Sequence, residues 1–341
     1  MNKQVSVLAV CAILSLGLGV WLSQSTSKDK FEAVFLFDAL QEFANQVESL
    51  EIKNAQGVLF SANKIEGRWL ATLDPEQTVY PISQDKLAEL VETMMRAKLV
   101  EAKTSKPENY IRLGLQSIDV ADSMASLVTL KTSENAWQVL VGNKVTLGEG
   151  QYILKLGERR SWRTDKTIHL PIDKFSWLKQ PILPYQAQDI SSVSRVDSFG
   201  WQIIRSVSGD FQLINMPKDK KLEYPSILNS IVSSLTSLDF EQLLPKDEVF
   251  EQSLKILTQL EVHTAQQNIF QVVVSELDDK YFVNFFSSNR TEYWQKWTYQ
   301  VSNFSAQQLI KTIDDFLEQE EILTIISDTT YQTVNEGDSP N

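Results

Sequence analysis

Cysteine is almost absent from this chain, whose 341 residues include only Cys11. One thiol cannot form a disulfide within the chain, and its place in an apolar leader leaves no thiol nucleophile or thiolate metal ligand elsewhere. Histidine is nearly as scarce, because His169 and His263 are the only two. Neither lies in a metal-ligand pattern, so a Ser-His-Asp or Cys-His site would depend on one of these two residues.

The common enzyme motifs are also missing. The chain contains no G-x-S-x-G, no phosphate-binding loop, no H-E-x-x-H and no G-x-G-x-x-G. Paired-carboxylate chemistry stays open, because among 44 acidic residues some pair can always meet. No residue pattern indicates catalysis, a metal or a cofactor, and we expect a protein that is not an enzyme.

The chain also lacks an excess of positive charge. Lys and Arg number 32 against 44 Asp and Glu, which gives a net charge of −12. This balance opposes general attraction to nucleic acid, which we do not expect as a partner, or to anionic lipid. Hydrophobic residues make up 43% of the chain, with 8 Trp, 9 Tyr and 16 Phe, so a folded protein is predicted.

Residues 5–22 form the one long uncharged run. As a helix it would be about 27 Å long, close to the hydrocarbon core of a bilayer. We therefore predict an N-terminal transmembrane anchor within residues 1–30, with the rest of the chain outside the cytoplasm. A cleaved signal peptide, with Ser23 and Ser25 at the cut site, and a lipoprotein modified at Cys11 are the alternatives.

A helical pattern occurs twice in the chain. Ser83 is a candidate N-cap for a helix over residues 83–98, and a second helix is predicted to begin near Ser226. Apolar residues recur in both at i, i+3, i+4 and i+7, and Tyr-Pro precedes each helix, as Tyr80-Pro81 and Tyr224-Pro225. The two stripes are Leu87, Leu90, Val91 and Met94, and Leu228, Ile231, Val232 and Leu235.

Strand-like segments surround the two helices in the same order, which indicates an internal duplication. The predicted fold is α+β: two halves, each a twisted antiparallel sheet with helices packed on one face. The first half covers residues 31–180 and begins with a helix over residues 31–50, the second covers residues 181–326, and residues 327–341 are a disordered tail. A short helix opened by Pro171 ends the first half, and a helix from Ser305, with Gln308 completing a capping box, ends the second.

Two segments are candidate interaction surfaces. Residues 103–115 form a polar, turn-rich loop, and residues 281–301 form a hairpin dense in aromatic residues. In each case the alternative is structural, with the loop tucked onto the core and the aromatic rings paired across strands. The candidate interaction residues are Lys106, Glu108, Asn109, Tyr110 and Arg112 in the loop, and Tyr293, Trp294 and Trp297 in the hairpin.

Several motifs together resemble a known family. They are Gly67-Arg68-Trp69-Leu70, Tyr80-Pro81, Glu101-Ala102-Lys103-Thr104, Pro107-Glu108-Asn109-Tyr110-Ile111-Arg112-Leu113-Gly114-Leu115, Val141-Gly142-Asn143, Gln151-Tyr152-Ile153 and Ser161-Trp162. This set resembles the bacterial domain-of-unknown-function family 4340. The resemblance implies a single-pass protein of the bacterial inner membrane with its soluble part in the periplasm. It also implies a permease or gliding-type auxiliary subunit of an ABC transporter as a partner, and it supplies no reaction.

The leading hypothesis is a membrane-anchored extracytoplasmic accessory protein that acts by protein contacts in an ABC-type transport assembly. The alternative is a binding module for an envelope ligand, glycan or lipid, which would use the aromatic hairpin or a cleft between the halves. An envelope hydrolase is a third hypothesis, and it would need His169, His263 or a close carboxylate pair in a pocket.

Overall fold

A computed structural model describes residues 32–73, 79–198, 200–214, 216–288 and 292–318. The predicted leader, residues 1–30, and the predicted tail, residues 327–341, lie outside this part of the chain. Among the described residues, no helix has the length and apolar character needed to cross a membrane. The chain divides into two units, the first ending at Gln180 and the second beginning at Pro181.

The first unit is built on one antiparallel sheet, which has ten strands in the described residues, in the order β1-β6-β10-β9-β8-β7-β2-β3-β4-β5. The strands are β1 (Val34–Phe35), β2 (Ser49–Asn54), β3 (Gly57–Ile65), β4 (Arg68–Thr72), β5 (Val79–Pro81), β6 (Lys98–Ala102), β7 (Ser126–Lys131), β8 (Ala136–Lys144), β9 (Gln151–Lys155) and β10 (Ser161–Thr164). The helices are α1 (Leu40–Phe43), α2 (Gln84–Arg96) and the 3₁₀ turns Ala44–Gln46 and Pro107–Leu113.

The second unit is also built on one antiparallel sheet, with eight strands in the described residues, in the order β13-β12-β11-β15-β16-β17-β18-β14. The strands are β11 (Ile190–Arg195), β12 (Trp201–Arg205), β13 (Phe211–Ile214), β14 (Gln242–Pro245), β15 (Lys255–Thr264), β16 (Ile269–Leu277), β17 (Lys280–Ser287) and β18 (Trp297–Val301). The helices are α3 (Ile227–Thr236), α4 (Glu248–Ser253), α5 (Asn303–Leu309) and the 3₁₀ turns Ala187–Asp189, Tyr293–Lys296 and Ile313–Phe316.

The two sheets share one strand order. From β4 the first sheet runs β4-β3-β2-β7-β8-β9-β10-β6, and the second runs β13-β12-β11-β15-β16-β17-β18-β14. Each strand of the first order corresponds to the strand at the same place in the second order. Within the described residues, the first sheet alone is extended at its borders, by β5 beside β4 and by β1 beside β6. The edges of the second sheet are β13 and β14, and β14 ends at Pro245. The predicted α+β class with two antiparallel sheets is confirmed.

A short backbone bridge closes each unit in the same way. Ile82 pairs with Leu178 in the first unit, and Leu222 pairs with Leu317 in the second. Each bridge joins the chain after the last strand of the unit to the residues ahead of the long helix. The hydrogen bonds run from Ser83 N–H to Trp177 O (2.9 Å) and Lys179 N–H to Pro81 O (2.8 Å), and from Glu223 N–H to Phe316 O (2.9 Å) and Glu318 N–H to Lys221 O (2.9 Å).

An aromatic residue beside each bridge packs onto the sheet. The Trp177 ring lies 5.7 Å from the Phe60 ring, edge to face. In the second unit Phe316 makes the same contact with Trp201 at 5.2 Å. Because Phe60 is on β3 and Trp201 is on β12, the two pairs occupy equivalent places, and each covers the same face of its sheet.

The predicted helices α2 and α3 are confirmed, with a difference in burial. Ser83 caps α2 through its Oγ, which accepts a hydrogen bond from Lys86 N–H at 3.5 Å. All four stripe residues of α3 are buried, whereas on α2 Val91 is only half-buried. The face of α2 around Val91 therefore remains partly open.

Two other helix predictions are wrong, and a third is confirmed as a helix but has different bounds. The described part of residues 31–50 is not one helix but β1, α1, a 3₁₀ turn and the start of β2, because Val34 and Phe35 pair with the edge of β6. The segment after Pro171 has no helix, since Asp173 Oδ1 accepts from the backbone of residues 175 and 176 and so forms a turn. The last helix is capped by Ser302, not by Ser305, and ends at Leu309.

The Tyr-Pro pair is not part of the structural repeat. Since Ile82 and Leu222 form the equivalent bridges, the match of Pro81 in the second unit is Lys221. Tyr80 is fully buried beside this bridge, whereas Tyr224 lies beyond the second bridge and is 40% exposed. The second Tyr-Pro therefore occupies a different environment.

In the second unit a buried arginine, Arg195, attaches the chain after α5 to the sheet, and the first unit has Ile52 at the equivalent position. The Arg195 side chain is 4% exposed. Its Nε donates to both carboxylate oxygens of Asp197 at 2.7 and 2.8 Å, and its Nη1 donates to Ile310 O and to Lys311 O, the latter at 2.9 Å. The arginine thus fixes the chain after α5 to the sheet.

Replacement of this arginine tests its contribution to stability. Arg195→Met removes the cation from Asp197 and the donors from three carbonyl groups, those of Leu257, Ile310 and Lys311. We therefore expect the free energy of unfolding to fall by about 3–5 kcal/mol in urea denaturation. Lys53→Met is the control, because it breaks only the partly exposed pair with Glu51 at 2.8 Å. That pair should contribute less than about 1 kcal/mol. Equal losses in the two variants would contradict a special role for Arg195.

Candidate interaction sites

The predicted recognition loop belongs to the crossover from β6 to β7, residues 103–125. It runs over the sheet face opposite the one that Trp177 covers, because strand register places Val139 on the Phe60 face and Leu140 on the other. The crossover begins beside β10, where Thr104 N–H donates to Ser161 Oγ at 3.1 Å. It then forms the 3₁₀ turn Pro107–Leu113.

A small second core holds the crossover in place. Tyr110 and Leu113 pack against this core, and the Tyr110 hydroxyl also donates to Arg159 O at 2.5 Å. A Cβ atom on Gly142 of β8 would lie 2.3 Å from Leu113 O, so the backbone of the crossover rests directly on this glycine. The buried residues of the core are Leu115, Ala125, Leu140 and Leu154. Tyr110 therefore has the structural role named as the alternative.

The other side of the same turn is open to solvent. Lys106, Glu108 and Arg112 are exposed and Asn109 is half-buried. Ile111, which was not among the predicted site residues, is 59% exposed. Since residues three apart share one side of a 3₁₀ turn, Glu108 and Ile111 are neighbours. The crossover thus presents an apolar side chain among charged side chains of both signs, and its backbone is held in place by the small second core and Gly142.

The two tryptophans of the aromatic hairpin are core, which corrects their prediction as interaction residues, whereas Phe286 of the same hairpin is 41% exposed. Trp294 and Trp297 are each 1% exposed. The Trp294 ring lies 5.5 Å from Phe270 and 5.7 Å from Phe285, both edge to face. The turn Tyr293–Lys296 folds the first tryptophan inward, and strand alternation places the second on the buried face of β18. Neither side chain is available to a partner in this fold.

Tyr293 is held at the edge of this aromatic core. Its hydroxyl donates to Ile182 O at 2.9 Å, inside the second unit. Burial, assisted by the negative charge of Glu292, raises the pKa of Tyr293 to about 12. The tyrosine therefore holds the backbone near Ile182, at the start of the second unit, in place.

The two histidines each have one carboxylate partner. His169 Nδ1 lies 3.2 Å from Glu89 Oε1, and both side chains are exposed. His263 Nε2 lies 3.0 Å from Glu261 Oε1, two residues away on β15. In the part of the chain that the structure describes, no group of three His, Cys, Asp or Glu side chains could hold a metal ion.

A groove of about 600 Å³ opens on the first unit. It lies between α2, the β3–β4 hairpin and the turn Ala44–Gln46, and Trp69 and Val91 contribute apolar surface to it. The charged residues on its lining are Lys64, Glu92 and Arg96. No sequence pattern predicts this groove, and its residue Val91 belongs to the helical stripe that was predicted to be buried.

Comparison with known proteins identifies a family. The family model described as "Domain of unknown function (DUF4340)" matches residues 69–256, which is more than half of the chain and includes parts of both units. No curated protein and no solved structure gives a match.

The raised pKa of Tyr293 predicts a pH dependence. Its pKa is about 12 in the folded chain against an ordinary value of 10.0, so the folded state holds the proton more tightly. The stability that this provides is complete below pH 10 and is lost as the pH rises toward 12. In urea denaturation, the wild type should lose more stability over this range than Tyr293→Phe does. Parallel pH curves for the two proteins would contradict the assignment.

Proposed function

The chain belongs to the DUF4340 family of domains of unknown function, and from this membership we propose a membrane-anchored extracytoplasmic accessory protein that works by protein contacts. Its location would be the bacterial inner membrane, with both units in the periplasm. A permease or auxiliary subunit of an ABC-type transporter is the proposed partner. The proposed partner follows from the family resemblance described above, and the anchor follows from the uncharged residues 5–22.

The observation that carries the proposal is the crossover of the first unit. Ile111 stands out from a turn whose backbone rests on Gly142 and whose Tyr110 is fixed to Arg159 O. A rigid element loses little conformational freedom when it binds, so an exposed apolar side chain on it is suited to a protein interface. Lys106, Glu108 and Arg112 are exposed in or beside the same turn as Ile111 and would form the polar rim of such an interface.

A second argument comes from the aromatic hairpin. The hairpin tryptophans are in the core of the second unit, so they cannot stack on a glycan or a lipid. The alternative function therefore loses the two tryptophans that favoured it, whereas the crossover keeps its exposed charges. Protein contact is the function that the described surfaces support best.

Labelling of single cysteines tests the proposed location. Cys11 is the only natural thiol, so Val207→Cys and Leu147→Cys would each add one reactive site on an exposed turn. We expect a membrane-impermeant maleimide to label both variants in cells whose outer membrane alone has been opened, with wild type as the background control. Labelling only after the inner membrane is permeabilised would place the units in the cytoplasm and reject the proposal.

Copurification tests the proposed partner and the crossover together. The tagged full chain should recover a transporter permease or auxiliary subunit from gently solubilised, crosslinked membranes. Ile111→Asp should reduce this recovery about tenfold, which corresponds to about 1.4 kcal/mol, because it places a charge at the centre of the contact. Leu147→Asp, a change of the same kind on another exposed turn, is the control. If both variants recover the subunit as wild type does, the crossover is not the interface.

A further inference from the structure

The two units can be compared residue by residue around the first hairpin. In each, a 3₁₀ turn leads into the first strand of the repeat, and Val47 and Ile190 donate to the carbonyls of Ala44 and Ala187. In each hairpin a basic residue faces an aromatic residue across the strands, and these pairs are Lys64 with Trp69 and Arg205 with Phe211. The equivalent helix positions, 141 residues apart like the rest of the stripe, are Ala88 and Asn229.

In the second unit the arginine fills the space between the turn, the hairpin and the helix. The guanidinium of Arg205 lies 4.4 Å from the Phe211 ring centroid. Its Nε donates to Ile190 O at 2.9 Å, its Nη1 to Gly209 O at 2.6 Å and its Nη2 to Ala187 O. Asn229 completes the arrangement, because its Oδ1 accepts from Phe211 N–H at 3.1 Å.

In the first unit the same space is the open groove. Lys64 replaces the arginine and is exposed, and Ala88 replaces the asparagine, so neither side chain fills the volume. Trp69 offers a larger ring than Phe211 does, and it is only half-buried. The residues that correspond to the carbonyl acceptors of the second unit, Ala44 and Val47, line the groove.

We propose that this groove binds an arginine side chain carried by an extended segment of a partner protein. The guanidinium would stack on Trp69 and donate to backbone carbonyls of the turn Ala44–Gln46 and of Val47, as Arg205 does within its own unit. Trp has the most attractive ring face for a cation, and the planar fork of arginine matches several carbonyl acceptors at once. The proposal rests on the proposed function in protein contact and adds the chemistry that the partner presents.

The groove has the volume for this occupant, and its lining carries one carboxylate, Glu92, beside the cations Lys64 and Arg96. A volume of about 600 Å³ accepts the guanidinium together with its flanking residues. Glu92 lies on the lining, where its carboxylate is paired with Arg96 at 2.9 Å, and both side chains are largely exposed. An exposed pair of this kind exchanges partners at little cost, so Glu92 provides the carboxylate for an incoming cation.

Peptide selection on the purified full-length chain in detergent micelles tests the proposal. The probe is a library of random linear peptides, and we expect enriched sequences to share an arginine at one fixed position. Replacing that arginine by citrulline, which is nearly isosteric but uncharged, should weaken binding at least about tenfold, because charge-assisted hydrogen bonds and the cation–π contact are lost.

A groove-filling variant supplies the structural test. The double change Lys64→Arg and Ala88→Asn installs the residues of the second unit, so the chain should occupy its own groove and lose the selected peptide. The matched control is Lys131→Arg with Ala136→Asn, the same two replacements at exposed, cross-strand paired positions of the first unit. It should bind the peptide as wild type does, and both variants should melt cooperatively.

Three results would overturn the proposal: no shared arginine, equal affinity for the citrulline peptide, or full binding by the groove-filled variant. These outcomes can be told apart from a failure of the proposed function, since the copurification depends on a transporter subunit and on Ile111. Loss of copurification with intact peptide binding would reject the transporter partner alone. Intact copurification with loss of peptide binding would reject the arginine site in the groove alone.

Discussion

Each unit depends on one small backbone bridge, which brings the end of its chain back to the start of its long helix. The pairs Ile82 with Leu178 and Leu222 with Leu317 join residues far apart in sequence, and they fix where the helix begins relative to the sheet. The aromatic residue before each bridge then covers the same sheet face, as Trp177 does on Phe60. Burial of these rings offsets the chain entropy that closing so long a loop costs.

The two units differ in how the crossover covers the second face of the sheet, which is the face opposite Trp177 and Phe316. In the first unit the crossover is a 3₁₀ turn whose Tyr110 packs on a small core. In the second, the equivalent crossover forms α4, whose Phe250 meets Phe282 at 5.3 Å. The sheet thus sets the course of the crossover, while its outer surface is free to differ, and this is where we place the partner contact.

Much of the fold could be predicted because its signals are local. The stripe from Leu228 to Leu235 follows one side of a helix, and most strands show their alternation over a few residues. The wrong predictions concern segments whose structure is determined by contacts with residues far away in the sequence. Val34 and Phe35 join the edge of β6, and the burial of Trp294 depends on rings from other strands. The groove was invisible to pattern analysis, since it depends on which side chains meet across a hairpin and a helix.

The edges of the second sheet have a consequence for how the protein behaves at high concentration. On β13 the outward N–H of Phe211 is taken by Asn229, and β14 ends at Pro245, which has no N–H to offer. Unpaired edge strands are the usual templates for fibril growth, and proline is one of the residues that natural sheets use to prevent it. At high concentration, the two edges of this sheet in the described residues are therefore poor templates for polymerisation.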